Sequence, residues 1–464
     1  MVRTGLDASL RVLERSFAGR LIRPDSGDYD EARTLFNAMV DKRPAVIAQC
    51  AGPEDVAAAL RLGRERGLEI AVRAGGHSVA GTSLCDDGLV IDVRPMRQVE
   101  VDPARRTARV GAGCTWSELD RATQEHGLAT TGGRVSSTGV TGLTLGGGSG
   151  WLERRHGLAC DNLLSVELVT ADGAPITASE DEHPELFWAL HGGGGNFGVV
   201  TALTFRLHPV GPEVLAGLLL YHAERGRDLL RLTRDFMADA PDEFGPALAY
   251  LTVPPEEELP AHLHDRLAVA IVLCYTGPVA DGERLIEPFR ALGPEADLVG
   301  PVAYSDFQCS IDDPPGYRNW WTAEYLHEAT DEAVDVIHAH ALRTPTPAPA
   351  QSFIVPWGGA VARVGEDQTP LTQRDATWVV HPFALWADPA ADDAVIGWAR
   401  GFRDAVRPFA SGGTYLNFIG DEGEDRVRAA FGEQKYRRLT AIKARYDPAN
   451  VFRGNQNIKP AAAA

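Results

Sequence analysis

Along this chain short apolar runs, closed by glycine, proline or acidic turns, alternate with stretches whose apolar positions recur every three or four residues. PAVIAQC (44–50) predicts a strand, and GPEDVAAALRLGRERG after it a helix, acidic in its first turn and ended by glycine. EIAVRA (69–74) predicts the next strand, so this part reads as a βαβ unit. GLVIDV, RQVEVDP and TARVGAG are β-rich pieces parted by turn residues, and a helix is predicted from Trp116 to His126. PELFWAL and VVTALTFRL follow as helix and strand. From Pro209 the texture changes. Strands GPEVLAGLLLYH, RLAVAIVLCYTG and TWVVHPFALWAD alternate with helices DGERLIEPFRALG and DDAVIGWARGFRDAV, the pattern of an α/β domain on an antiparallel sheet. A basic helix and a turn-rich end close the chain. The predicted class is α+β, divided at 1–208, 209–407 and 408–464.

A single core rarely organises 464 residues, which supports more than one domain. The 44% hydrophobic and 23% charged content is that of an ordinary soluble protein. A formal net charge of −19 argues against a nucleic-acid partner, whose phosphates need clustered Lys and Arg. No run approaches the roughly 18 apolar residues of a membrane span, and the N-terminus lacks the apolar centre of a signal peptide. Six cysteines lie scattered without CxxC or zinc-ligand spacing, so no metal is expected and free thiols in the cytoplasm are.

Three glycine-rich stretches carry the candidate chemistry. VRAGGHSVAG (72–81) presents His77 directly after two glycines, where the backbone can approach a ligand closely. GGRVSSTGVTGLTLGGGSG (132–150) holds eight glycines and six Ser or Thr in nineteen residues. Such a segment buries little and costs much backbone entropy, so bare N–H groups converging on an anionic ligand are its natural use. HGGGGNFGVVT (191–201) is the third. Its Gly193, Gly195 and Gly198 match GxGxxG, but helix precedes and strand follows, the reverse of the dinucleotide order. HGGG with GHSVA evokes a hydrolase, yet Ala80 replaces the needed glycine and the order is inverted.

With RAGGHSVAG (73–81), TGVTGLTLGGGSGWLERRHGLACDNL (138–163), HGGGGNFGVVT, GGAVARV (358–364), TYLNF (414–418) and YDPANVFRGNQNI (446–458) in family order, the chain resembles the berberine-bridge-enzyme-like flavoproteins of the vanillyl-alcohol-oxidase superfamily. The resemblance implies a PCMH-type FAD-binding domain (1–208), a substrate domain (209–407) and a C-terminal segment returning to the first. It implies FAD attached covalently through His77, once only, because Val135 stands where many relatives carry a second, cysteine attachment. Arg73, Ala74, Gly75, Gly76, His77 and Ser78 are expected at the pyrophosphate. Thr138, Gly139, Gly142, Leu143, Thr144, Gly147, Gly148 and Gly150 are expected along ribityl and ring, Val199 and Val200 at the adenine side or the dimethylbenzene core, and Tyr415, Asn417 and Asn455 close by. Val140 is expected to tune oxygen access.

Hydride transfer to flavin N5 needs a base for the substrate's other proton. Phe418 occupies the position of a catalytic Tyr or His in several relatives, and QSFIVPW, ahead of an expected GGAVARV strand, offers no acid. Tyr415, Asn417, Tyr250 and His381 are the catalytic candidates. The aromatic content of the middle domain suits an apolar pocket. The expected function is an FAD-dependent oxidase of an apolar or aromatic small molecule, passing electrons to molecular oxygen. A flavin-dependent oxygenase or oxidative cyclase of secondary metabolism is the alternative, and a non-catalytic flavin-binding protein another. Oligomeric state is left open.

Overall fold

The computed structural model describes residues 2–313 and 315–462. The expected βαβ unit forms with one strand inserted: Val46–Gln49 and Ile70–Arg73 both pair in parallel with Leu89–Asp92, which lies between them. The Pro53–Arg66 helix joins them. Glu54 and Asp55 in its first turn and Gly67, at φ 63, bound it as predicted, with Pro53 opening it, and it buries Val56, Ala59 and Leu60. A second sheet runs in the order Val99–Asp102, Thr107–Gly111, Val199–Arg206, Leu163–Val169, Pro175–Ser179, antiparallel throughout. VVTALTFRL is thus a central strand, and the glycine loop before it is held by a rigid element.

The third sheet has nine strands, all antiparallel, and takes its strands from residues 213 to 386. Side chains alternate across it with the two-residue period of extended backbone. On Glu213–His222, Leu215, Leu219 and Tyr221 enter a core shared with the helices Gly226–Met237, Asp331–Ala341 and Asp392–Val406. Val214, Ala216 and Leu220 enter the other core, which is shared with the first two sheets. One face is therefore sealed by helices and the other faces the glycine loops. No helix among the described residues is long and apolar enough to cross a membrane.

Two predicted elements differ. GGAVARV is no strand: Gly358 and Gly359, at φ 104 and 55, turn the chain into a one-turn helix, Ala360–Arg363. The expected helix at 281–293 breaks into Val279–Leu285 and Glu287–Arg290, because Pro288 has no N–H to continue the ladder. The C-terminal helix Glu424–Tyr446, broken at Gly432, leads back to the third glycine loop. There buried Lys443 donates to the carbonyls of Asn196 and Phe452 at 2.7 and 2.9 Å and pairs with Asp447. The tail is locked onto the third glycine loop.

Candidate active site

Between the glycine loops and the open face of the large sheet lies a cavity of about 320 Å³. Its floor is glycine-rich and comes from residues 74–79, 133–142 and 194–198. The glycines of the three loops do two different jobs. A Cβ on Gly75 would come within 2.3 Å of the Gly139 nitrogen, one on Gly148 within 2.3 Å of Ala159, and one on Gly150 within 1.6 Å of the Gly132 carbonyl. These residues pack loop against loop. At Gly142 nothing lies within 4 Å, and at Gly195 only Asn455, at 4.0 Å, so here the bare backbone faces the cavity.

His77 enters this floor half-buried. Its ring stacks on Phe36, with centroids 4.3 Å apart, and its Nε2 lies 3.1 Å from the Ser137 hydroxyl. Burial lowers its pKa to about 4, since the imidazolium would lose hydration without a carboxylate to replace it. At neutral pH it is a fixed, uncharged imidazole, the nucleophilic form.

The roof is built of side chains. On Gln351–Pro356 the alternate residues Gln351, Phe353 and Val355 line the cavity; in register beside them stand Phe383 and His381, and Trp321 beside Phe383. Trp321 stacks on Phe383 at 4.4 Å. His381 lies parallel to Phe418 at 4.3 Å and 7°. Its Nδ1 must donate to the Thr322 carbonyl, 2.8 Å away, which leaves the lone pair on Nε2, a buried atom with no partner among the described residues. Burial lowers this pKa also to about 4. Asp313 adds a carboxyl that burial, with Asp312 beside it, pushes up to about 7.

A family model described as FAD binding domain matches residues 44–179, and one described as berberine and berberine like matches residues 414–459. The (R)-6-hydroxynicotine oxidase of Paenarthrobacter nicotinovorans is 32% identical over 467 residues, covering 96% of this chain and 97% of that protein. The chain belongs to the berberine-bridge-like FAD-linked oxidoreductases. An uncharacterised FAD-linked oxidoreductase of Bacillus subtilis, YgaK, is 30% identical across 95% of this chain and 97% of its own length. Among solved structures, 6-hydroxy-D-nicotine oxidase from Arthrobacter nicotinovorans superposes with a TM-score of 0.86 at 30% identity, covering 96% and 98% of the two chains. Xylooligosaccharide oxidase from Myceliophthora thermophila C1 has the same TM-score at 22% identity, covering 99% and 100%, and shares the fold.

This berberine-bridge-like protein is an FAD-dependent oxidoreductase, and the cavity suits that cofactor. The backbone around Gly142 and Gly195 is open to the cavity, Asn455 Oδ1 is buried without a partner among the described residues, and His77 stands in the wall. Of the expected cofactor residues, Ala74, Gly75, Gly76, His77, Ser78, Thr138, Gly139, Gly142, Leu143, Val200, Asn417 and Asn455 line the cavity. Others do not. Arg73 turns back to the carbonyls of Ala32 and Thr34, Thr144 bonds within its own helix to Val140, and Gly147, Gly148 and Gly150 are packed against protein. Val199 is fully buried in the core, one strand position from Val200. Val140 is likewise buried and does not reach the cavity.

Among the catalytic candidates, Tyr250 faces the helical layer and hydrogen-bonds His338 Nδ1 at 2.8 Å. Strand parity decides this: it pairs with Ser352, not with Gln351 or Phe353. Tyr415 is fully buried behind the floor, its oxygen accepting from the amides of Gly148 and Ser149 and from Asn417, and burial raises its pKa. It pins the glycine loop. Asn417 lines the cavity with its amide donated to the Leu143 carbonyl at 2.9 Å. His381 alone presents an unpaired basic atom. Asp313 and Phe383 are not among the expected residues, and Trp321 and Phe353 are expected only as part of the middle domain's aromatic content; the alternation along QSFIV and HPF signals Phe353 and Phe383, and nothing comparable marks Asp313 or Trp321.

Proposed function

We propose that this protein is an oxidase of small aromatic or apolar substrates bearing an O–H or N–H next to the C–H to be oxidised, with FAD tethered singly through His77. One observation carries the reading: a neutral, immobilised imidazole stands in a glycine-rich floor opposite an aromatic roof. Bound FAD would supply the hydride acceptor and return the electrons to molecular oxygen as hydrogen peroxide. Trp321, Phe353 and Phe383 sandwich the substrate's apolar body and exclude water. His381 Nε2 accepts the substrate's O–H or N–H proton, with the Thr322 carbonyl holding the ring in the tautomer that leaves that lone pair free. Phe418, stacked on it, fixes the ring plane. The absence of an attachment partner at Val135 limits the tether to one bond.

The similarity to an oxidase of 6-hydroxynicotine supports this substrate class. The decisive experiment is to screen aromatic alcohols and cyclic amines anaerobically for bleaching of the flavin band, then admit oxygen and measure peroxide. Bleaching followed by stoichiometric peroxide supports an oxidase. Bleaching without peroxide, with oxygen found in the product, points to the oxygenase reading, and failure of every such compound beside reduction by simple sugars overturns the substrate class.

A further inference from the structure

Outside the flavin cavity, three segments distant in sequence bring nitrogen and oxygen donors to one point on the outer edge of the large sheet. His222 ends the strand Glu213–His222. His262 lies in the short turn Ala261–Leu263, within the connection between the strands Phe244–Thr252 and Leu267–Tyr275, and buried Leu263 anchors that turn. Glu295 immediately precedes the edge strand Ala296–Asp297, and its own N–H donates to the Leu220 carbonyl at 2.7 Å. Glu295 Oε1 sits 3.2 Å from His222 Nε2, Oε2 sits 3.1 Å from His262 Nε2, and the donor atoms of the three side chains lie within 4.8 Å of one another. Among the described residues this is the one such group of three potential ligands.

We infer that His222, His262 and Glu295 form a binding site for a divalent transition-metal ion such as Zn²⁺. Two imidazoles and one carboxylate, with no thiolate, suit borderline ions and not Ca²⁺ or Mg²⁺, which favour oxygen ligands. Bonds of about 2.0–2.1 Å put tetrahedral ligand atoms about 3.3 Å apart; here one ligand atom from each residue lies within 4.8 Å of the others, and the contacts of 3.2 and 3.1 Å are made to Oε1 and Oε2 respectively. Rotation of the exposed side chains would bring one carboxylate oxygen to both imidazoles, and water would complete the sphere. As plain surface hydrogen bonds these contacts would stabilise little. With an ion present, they staple the 253–266 connection and the sheet's edge to the strand whose other end reaches the domain interface. In the metal-free state both Nε2 atoms carry hydrogens donated to Glu295; binding moves these to Nδ1 or to solvent.

The test uses tag-free holoprotein, chelator-treated and desalted, titrated with ZnCl₂ by calorimetry and by thermal unfolding. One equivalent should bind per chain and raise the unfolding temperature. Affinity should fall in His262→Ala and Glu295→Gln by at least the roughly 10–100-fold that even outer-sphere partners are worth. The flavin spectrum serves as the control for folding, since none of the three residues lines the flavin cavity, and MgCl₂ should bind nowhere comparable. No binding to the wild type, undiminished binding by both variants, or equal affinity for Mg²⁺ would each overturn the assignment.

Discussion

The floor and the roof of the flavin cavity are built on opposite principles. The floor comes from three loops, each glycine-rich over a short stretch of chain; the roof is side chains from strands separated by up to about sixty residues and brought together by register. Backbone amides are the same in every sequence, so a floor of this kind suits a cofactor that the whole family shares. Side chains on alternate strand positions can be exchanged one by one without moving the sheet. In the proposed function, substrate choice and proton handling belong to the roof, where QSFIV carries no acid and His381 stands in register beside Phe353.

The largest expected effect breaks the floor. Gly150→Ala would put a carbon 1.6 Å from the Gly132 carbonyl oxygen, and overpacking of that severity should cost well beyond the usual ~1–3 kcal/mol and abolish soluble protein. Gly142→Ala is its counterpart. With nothing within 4 Å and a helical position, alanine should be neutral or gain up to about 1 kcal/mol of stability, yet lower flavin content. Normal loading with a stable fold would show that Gly142 does not meet the cofactor. Next, His77→Ala should release all flavin on acid precipitation, whereas the wild type should keep its yellow colour in the pellet; a coloured mutant pellet would move the attachment elsewhere.

On the roof, His381→Phe should leave flavin content and unfolding temperature close to wild type and lower kcat by about 10²–10⁴-fold, the usual worth of a positioned acid–base group. An unchanged kcat, measured with the best substrate from the anaerobic screen, would remove His381 from the chemistry. The smallest effect lies beside the floor. His156 and His208 stack at 3.9 Å, and burial holds their pKa values at about 3 and 4, below the ordinary 6.5. The unfolded chain then binds more protons as pH falls from 6.5 to 4, and stability drops through that window by on the order of 1–3 kcal/mol. Denaturant titrations at pH 7, 6 and 5 should show this slope, shallower in His156→Phe; an equal slope would locate the proton uptake at other histidines.

Legibility followed the range of the interactions. His77 and the glycine loops were readable because a close backbone approach demands glycine locally, whatever the rest of the chain does. Within those loops the reading failed at Gly147, Gly148 and Gly150, since composition cannot tell a glycine that meets a ligand from one that meets another loop. Tyr415 failed similarly. A tyrosine near a flavin motif looks catalytic, but its oxygen is occupied by the amides of Gly148 and Ser149. Tyr250 was excluded by a single step of strand parity, visible only once its pairing with Ser352 was known.

Local chemistry in the chain was enough to name the cofactor class and most helices and strands, because caps, turns and alternation act over a few neighbours. Which faces look into the cavity, and that His381 keeps a free lone pair there, depended on register across nine strands and on the partner of every buried polar atom. Those are long-range facts. Strand pairing is settled by the total burial of two sheet faces, a sum over the whole domain that no short stretch of sequence contains.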